Sequence, residues 1–271
     1  MSPSSVLSLV LLAALALTPP APPSMGGDDV RPFTFRAAPV DDPRLQQADS
    51  IFEAGDPAQA LRLALRVLEE EGEGYEALWR ASSFALAVGV VEEAERGRTD
   101  YFERAQDYAK RAQSLRPDGI EGLYWEVAAV GRLAMSAGPR EASAYADRIR
   151  EGAMAILEQE PEHAGAHHAL GKLYSEIMSV SGLSRFFGRT FVRSAALDEA
   201  SWSLAEKHLE RAASLAPDMI LFQLDLARLY RDRRRMDDAR RVLEAAAQAP
   251  LQQPGDRIFQ EEARALLRDI S

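Results

Sequence analysis

The chain contains no cysteine and only four histidines in 271 residues. No disulfide framework, thiolate metal site, iron–sulfur cluster, thiol nucleophile or lipid-bearing cysteine can be built from such a sequence. Cationic charge is also scarce: 32 Lys and Arg stand against 42 Asp and Glu, for a net charge of −10. That balance argues against nucleic acid as a partner, because a polyanion must be met by cationic surface. There is no GxSxG elbow, GxxxxGK[ST] phosphate loop, GxGxxG turn or HExxH pair. Nor does any stretch sustain the two-residue alternation of a half-buried strand. What is present is 46% hydrophobic residues, enough apolar mass for one or two cored domains, so disorder throughout is excluded.

The beginning of the chain reads as an address. Val6 to Leu17 is small and apolar apart from Ser8, and it is shorter than the roughly twenty residues that cross a hydrocarbon core. The helix-breaking run Thr18 to Pro23 ends it, and no charge occurs before Asp28. Residues 1–24 are expected to be a signal peptide and 25–41 a flexible Gly, Pro and Asp-rich linker, so the protein is expected to be exported to the periplasm or outside the cell. The alternatives are an uncleaved N-terminal anchor and a start at Met25, since no Lys or Arg precedes Val6.

From Asp42 onward, apolar and alanine residues recur at spacings of three and four, which predicts helix after helix and no strand. The breaks are expected at Gly55-Asp56, Gly72 to Gly74, Gly89, Arg116-Pro117, Gly138-Pro139, Pro161, Pro217-Asp218, Pro250 and Pro254-Gly255. Three segments end alike, at Pro117, Pro161 and Pro217, and twelve residues before them stand Ala105, Ile149 and Ala205. Ala60 holds the same place before Gly72, and Gly171 and Ala227 are the matching small residues of the preceding helices. Small residues there let two helices lie close together. In this respect the sequence resembles the tetratricopeptide repeat, whose unit is about 34 residues. Pro217 to Pro250 spans 33, but the three units before it span 45, 44 and 56, with the excess expected between the helices of each pair. The predicted fold is an all-α solenoid of about five degenerate helix pairs over 42–271, closed by a final helix from Asp256 to Ile270.

The middle of the chain carries Tyr108-Ala109-Lys110-Arg111-Ala112, Gly122-Leu123-Tyr124-Trp125 with Gly131-Arg132-Leu133-Ala134, and His163-Ala164-Gly165-Ala166-His167-His168-Ala169-Leu170-Gly171-Lys172. These segments, with Ala249-Pro250 and Asp256 to Leu267, resemble the regulator of microtubule dynamics proteins and their bacterial tetratricopeptide relatives. The resemblance implies an α-helical adaptor without catalytic residues or cofactor; association with microtubules is not carried over to a chain expected to be exported.

In stacked helix pairs the first helices line the inner, concave face. With Ala128, Gly171 and Ala227 as the small residues, the inner positions are Gly122, Trp125, Ala129 and Arg132; Gly165, His168, Lys172 and Ser175; and Leu221, Leu224, Arg228 and Arg231. Four of the twelve are Lys or Arg and none is acidic. This predicts a cationic groove with Trp79 and Trp125 at its N-terminal part, suited to a protein or peptide with acidic residues or a free carboxylate. The ordinary alternative is that these side chains are merely solvated, in a structural spacer. Between 177 and 197 there is no acid, while Arg185, Arg189 and Arg193 recur beside Phe186, Phe187 and Phe191. That stretch either plugs the protein's own core or lies on a partner or an anionic membrane surface. His163, His167 and His168, with Glu160 and Glu162, form the nearest metal candidate and would serve a metal-dependent enzyme or factor. The run Arg231, Arg233, Arg234, Arg235 beside Asp232, Asp237 and Asp238 reads as an internally compensated turn, with an anion site as the alternative.

Overall fold

The structure, a computed structural model, describes residues 40–137, 139–179 and 194–270. The expected signal peptide, nearly all of the linker, and Arg185, Phe186, Arg189 and Arg193 lie outside the described residues. Every described element is helical: α1 Pro43–Glu53, α2 Pro57–Glu71, α3 Tyr75–Val91, α4 Glu95–Leu115, α5 Ile120–Ala134, α6 Pro139–Gln159, α7 Ala164–Ser179, α8 Ala195–Glu199, α9 Trp202–Leu215, α10 Ile220–Asp232, α11 Met236–Gln248 and α12 Asp256–Asp269. None of them is long and apolar enough to cross a membrane.

The boundaries follow from local chemistry. Asp42 and Asp56 cap α1 and α2, each followed by a proline at the first helical position, and their carboxylates accept the N–H groups of Arg44 and Gln59. Ser194 and Ser201 cap α8 and α9 in the same way. A side-chain acceptor there satisfies an amide that has no partner within the helix, and proline loses no bond there. At the other end, α4, α6 and α9 all stop two residues before Pro117, Pro161 and Pro217, because proline disfavours helical geometry in the residue before it.

The helices pack as five pairs, α1 with α2, α3 with α4, α5 with α6, α7 with α9 and α10 with α11, with α12 following as the closing helix. Among the described residues the chain forms two compact units, 40–161 with 251–258 and 162–250 with 259–270. In the first, Ala48, Ala60, Ala64, Ala81, Ala85, Ala105 and Ala129 have no solvent exposure and share a core with Phe84 and Leu61. In the second, Ile220, Leu224, Ala227, Leu243 and Ala246 meet Ala263 and Leu266 of α12. The residues expected to let helices close up are buried: Ala60, Ala105 and Ala205 fully, Ile149 to 6% exposure.

Two expectations need correction. Gly89 does not break a helix; it lies inside α3, where a Cβ would come within 2.6 Å of the Phe102 ring on α4. The glycine is spent on helix crossing, and the extra residues of that unit lengthen the helices, α4 to 21 residues. The unit ending at Pro161 is enlarged in the same way, through a 21-residue α6. The small residue of the α5–α6 contact is also displaced. Val127 packs against Gly152, whose Cβ would lie 2.5 Å from it, so the second helix supplies the small partner and Ala128 is only half-buried.

Glycine substitutions test the packing. At Gly171 a Cβ would meet the Leu209 backbone nitrogen at 2.7 Å and the Ala205 carbonyl at 3.1 Å. Gly171→Ala is expected to cost about 1–3 kcal/mol in urea denaturation, because neither backbone atom can rotate away. At Gly131 of α5 nothing lies within 4 Å, and Gly131→Ala should stabilise by about 0.5–1 kcal/mol through lost unfolded-state freedom.

Candidate functional site

In the second unit the inner positions of α7 and α10 converge on Asp225. It stands in the apolar run Ile220-Leu221-Phe222-Gln223-Leu224-Asp225-Leu226-Ala227, and its side chain is 3% exposed. An unpaired carboxylate there would cost several kcal/mol, and three groups prevent it. Lys172 Nζ and Arg228 Nη1 donate to Oδ1 at 3.0 and 2.9 Å, while His168 Nε2 meets Oδ2 at 2.9 Å. Stacking on Phe222, with ring centroids 4.3 Å apart, fixes the imidazole. Burial pushes the Asp225 carboxyl up, but Lys172, His168 and Arg228 outweigh it and hold it well below the usual carboxylate range. Each cation also has an outer, more exposed acid: Lys172 pairs with Glu176 at 2.9 Å, and Arg228 with Glu262.

The structure therefore brings His168, Lys172 and Arg228 together around a carboxylate that the inner-face pattern did not include. Their charge is balanced from below by Asp225 and from the solvent side by Glu176 and Glu262. The signal was a lone acid in an apolar helix three residues before an arginine, a spacing that places both on one helix face. Arg231 is half-buried and pairs with the neighbouring Asp232 at 2.8 Å.

In the first unit Trp79 and Trp125 are buried, at 4% and 6% exposure, and offer little surface to a partner. Trp79 donates its indole N–H to Glu76 and lies 4.2 Å beneath the guanidinium of Arg80. Arg80 is fully buried and tied to Asp49 of α1 and Glu76 of α3, so this tryptophan is part of an ionic brace between helices. Trp125 packs edge-on against Tyr124. Arg132 lines a small open cleft of about 140 Å³ with Thr99, Phe102, Glu103 and Tyr145.

The three histidines considered for metal binding do not form a cluster. His163 Nδ1 accepts the Ala166 N–H at 3.0 Å, His168 turns to Asp225, and His167 reaches α9, where its Nδ1 lies 2.9 Å from Nδ1 of His208. The reason is helical geometry: consecutive residues point about 100° apart, and Pro161 leaves His163 before the first full turn. Among the described residues no three His, Asp or Glu side chains are placed to hold a metal ion. In the His167–His208 pair one Nδ1 must donate and the other accept. Burial, together with the neighbouring His167 and Lys207, lowers His208 to about 4.

Residues 44–271 match the model of a family described as Regulator of microtubule dynamics protein 1-3. Among solved structures, the chain resembles TTC0263, a thermophilic tetratricopeptide-repeat protein of Thermus thermophilus. The two are 19% identical, the match covers 82% of this chain and 97% of that one, and the TM-score is 0.59. MamA from Desulfovibrio magneticus is 16% identical, over 85% of this chain and 98% of that one, with a TM-score of 0.44. No curated protein matches the chain. The first of these likenesses shows a fold of tetratricopeptide type.

Two measurements probe the second unit. Asp225→Asn leaves two cations facing a neutral amide, and is expected to lower unfolding free energy by about 2–4 kcal/mol, read by urea denaturation at pH 7. Because His208 is held neutral in the folded chain while an unfolded histidine protonates near 6.5, the unfolded state binds more protons between pH 6.5 and about 4. Stability should thus fall across that window as pH drops, by about 1–2 kcal/mol after solvent screening. His208→Gln should flatten the slope in thermal melts recorded from pH 7 to 4.

Proposed function

Because the chain belongs to the regulator of microtubule dynamics protein 1-3 family and folds as tetratricopeptide-type helix pairs, we propose that it is a noncatalytic scaffold that holds a protein or peptide partner on the faces of its first helices. The observation that carries this reading is the recurrence of half-buried cationic side chains on those helices. Lys172 on α7 and Arg228 and Arg231 on α10 supply them in the second unit, and Arg132 on α5 is the counterpart in the first. In the second unit Lys172 of α7 and Arg228 of α10 meet at Asp225, so adjacent first helices present cationic side chains next to each other, which suits a partner laid across them.

The geometry around Asp225 supports a preference for acidic or carboxylate-bearing segments. Asp225 holds Lys172 and Arg228 in place from beneath, so their rotamer freedom is already restricted before a ligand arrives. The outer acids Glu176 and Glu262 are half-exposed. They are the exchangeable partners, and an incoming carboxylate replaces one ion pair by another without leaving a buried charge alone. The microtubules of the family's description are not carried over, since the N-terminal segment reads as an export signal. Fractionation of the source cells, with the protein expected outside the cytoplasm, tests that part.

Affinity capture followed by mass spectrometry tests the binding face. Glu176→Gln with Glu262→Gln removes the competing acids and should strengthen partner capture severalfold. Lys172→Gln with Arg228→Gln should weaken it about tenfold, the equivalent of one charge-assisted contact. Thermal unfolding of each variant separates lost binding from lost folding. Capture that neither pair alters would overturn the first-helix reading, and no captured partner at all would favour a structural spacer.

A further inference from the structure

The four arginines of the α10–α11 turn have unequal fates. Arg231 pairs with Asp232, and Arg235 with Glu206 and Asp238. Asp238 is also engaged by Arg241, and Asp237 lies 3.5 Å from Arg240. Asp232 and Asp238 are thus engaged by other arginines, Asp237 is fully exposed with Arg240 as its neighbour, and Arg233 and Arg234 have no acid partner among the described residues. Their Nε atoms are covered by protein without a hydrogen-bond acceptor, and a covered donor left unmatched is costly.

The backbone makes the arrangement more unusual. Arg234 has φ of 57°, the only positive value of a non-glycine residue among the described residues. The turn closes as a Schellman motif, with the Arg235 N–H bonded to Tyr230 O and the Arg234 N–H to Arg231 O, and the residue at this place is ordinarily glycine. A side chain costs about 1 kcal/mol there, and such strain concentrates where a side chain is used. The guanidinium of Arg233 lies 5.5 Å over the ring of Trp202, the first residue of α9, a position that fixes its plane.

We propose that Arg233 and Arg234, beside Trp202, form an oxyanion-binding site for the carboxylate or phosphate group of a partner. Two guanidinium groups with uncommitted terminal N–H donors match the planar carboxylate and the tetrahedral phosphate alike. The site shares no residue with the first-helix face and stands whether or not that face binds a peptide.

The test is a titration of the full chain at constant ionic strength, read by the indole N–H resonance of Trp202 and the arginine Nε–H resonances. One arm uses inorganic phosphate and the other an acetylated tetraglutamate peptide. Saturable shifts are expected at Trp202 and both arginines. Arg234→Gly suits the positive φ, so it should keep or raise the unfolding midpoint while weakening binding about tenfold. Arg233→Gln with Arg234→Gly should abolish saturation. Saturation by phosphate alone assigns the site to phosphate-bearing ligands; saturation by the peptide makes a carboxylate sufficient. Failure of both probes to saturate the native chain, or equal titration of native chain and double variant, overturns the proposal.

Discussion

Two helices can lie against each other along most of their length only where small residues occupy the crossing, and the rest of this molecule depends on that contact. Ala48, Ala60, Ala105, Ala205, Ala227 and Ala239 are all without exposure, and Gly89, Gly152 and Gly171 stand where a Cβ would strike a neighbouring helix. Close approach leaves the larger residues Phe84, Phe222 and Leu243 exposed by 2% or less, as close-packed interiors require. A single pair cannot bury its own apolar face, so the contact has to be repeated to build a core.

Once the helices are that close, buried polar groups have few places to go. Arg80 is fully covered yet held by two carboxylates and a tryptophan face, and Asp225 is nearly covered yet held by two cations and an imidazole. Removing water from a lone charge costs more than a typical packing contact returns, so these groups survive only as complete networks. The network around Asp225 also aims the half-exposed ends of Lys172 and Arg228 toward solvent. Structural support and the candidate binding face are thus the same set of contacts seen from two sides.

The tetratricopeptide-type fold shows what kind of molecule this is without naming its partner, since helical repeats serve many unrelated processes. On the proposed reading, specificity comes from the particular side chains on the first helices and turns. Arg233 and Arg234 of the α10–α11 turn stand apart among the described residues because their Nε atoms are covered without an acceptor.

The all-helical class, the five pairs and the closing helix were legible in the sequence because proline, glycine and alanine act locally: a proline stops a helix wherever it falls, and an alanine every twelve residues marks a crossing. The boundaries at Pro117, Pro161 and Pro217 needed no knowledge of distant residues. The candidate site was legible only in part. Lys172, Arg228 and His168 could be placed on the inner side by helical phase, but Asp225, fifty-three residues beyond Lys172, is joined to them only by folding. Trp79 and Trp125 look like groove residues on a helical wheel and are core residues in space, because burial depends on what packs against a face. The partners of His167 and the committed acids around Arg233 and Arg234 were likewise decided by tertiary structure: one-dimensional order sets which side chains share a helix face, and only the docking of helices sets which charges meet.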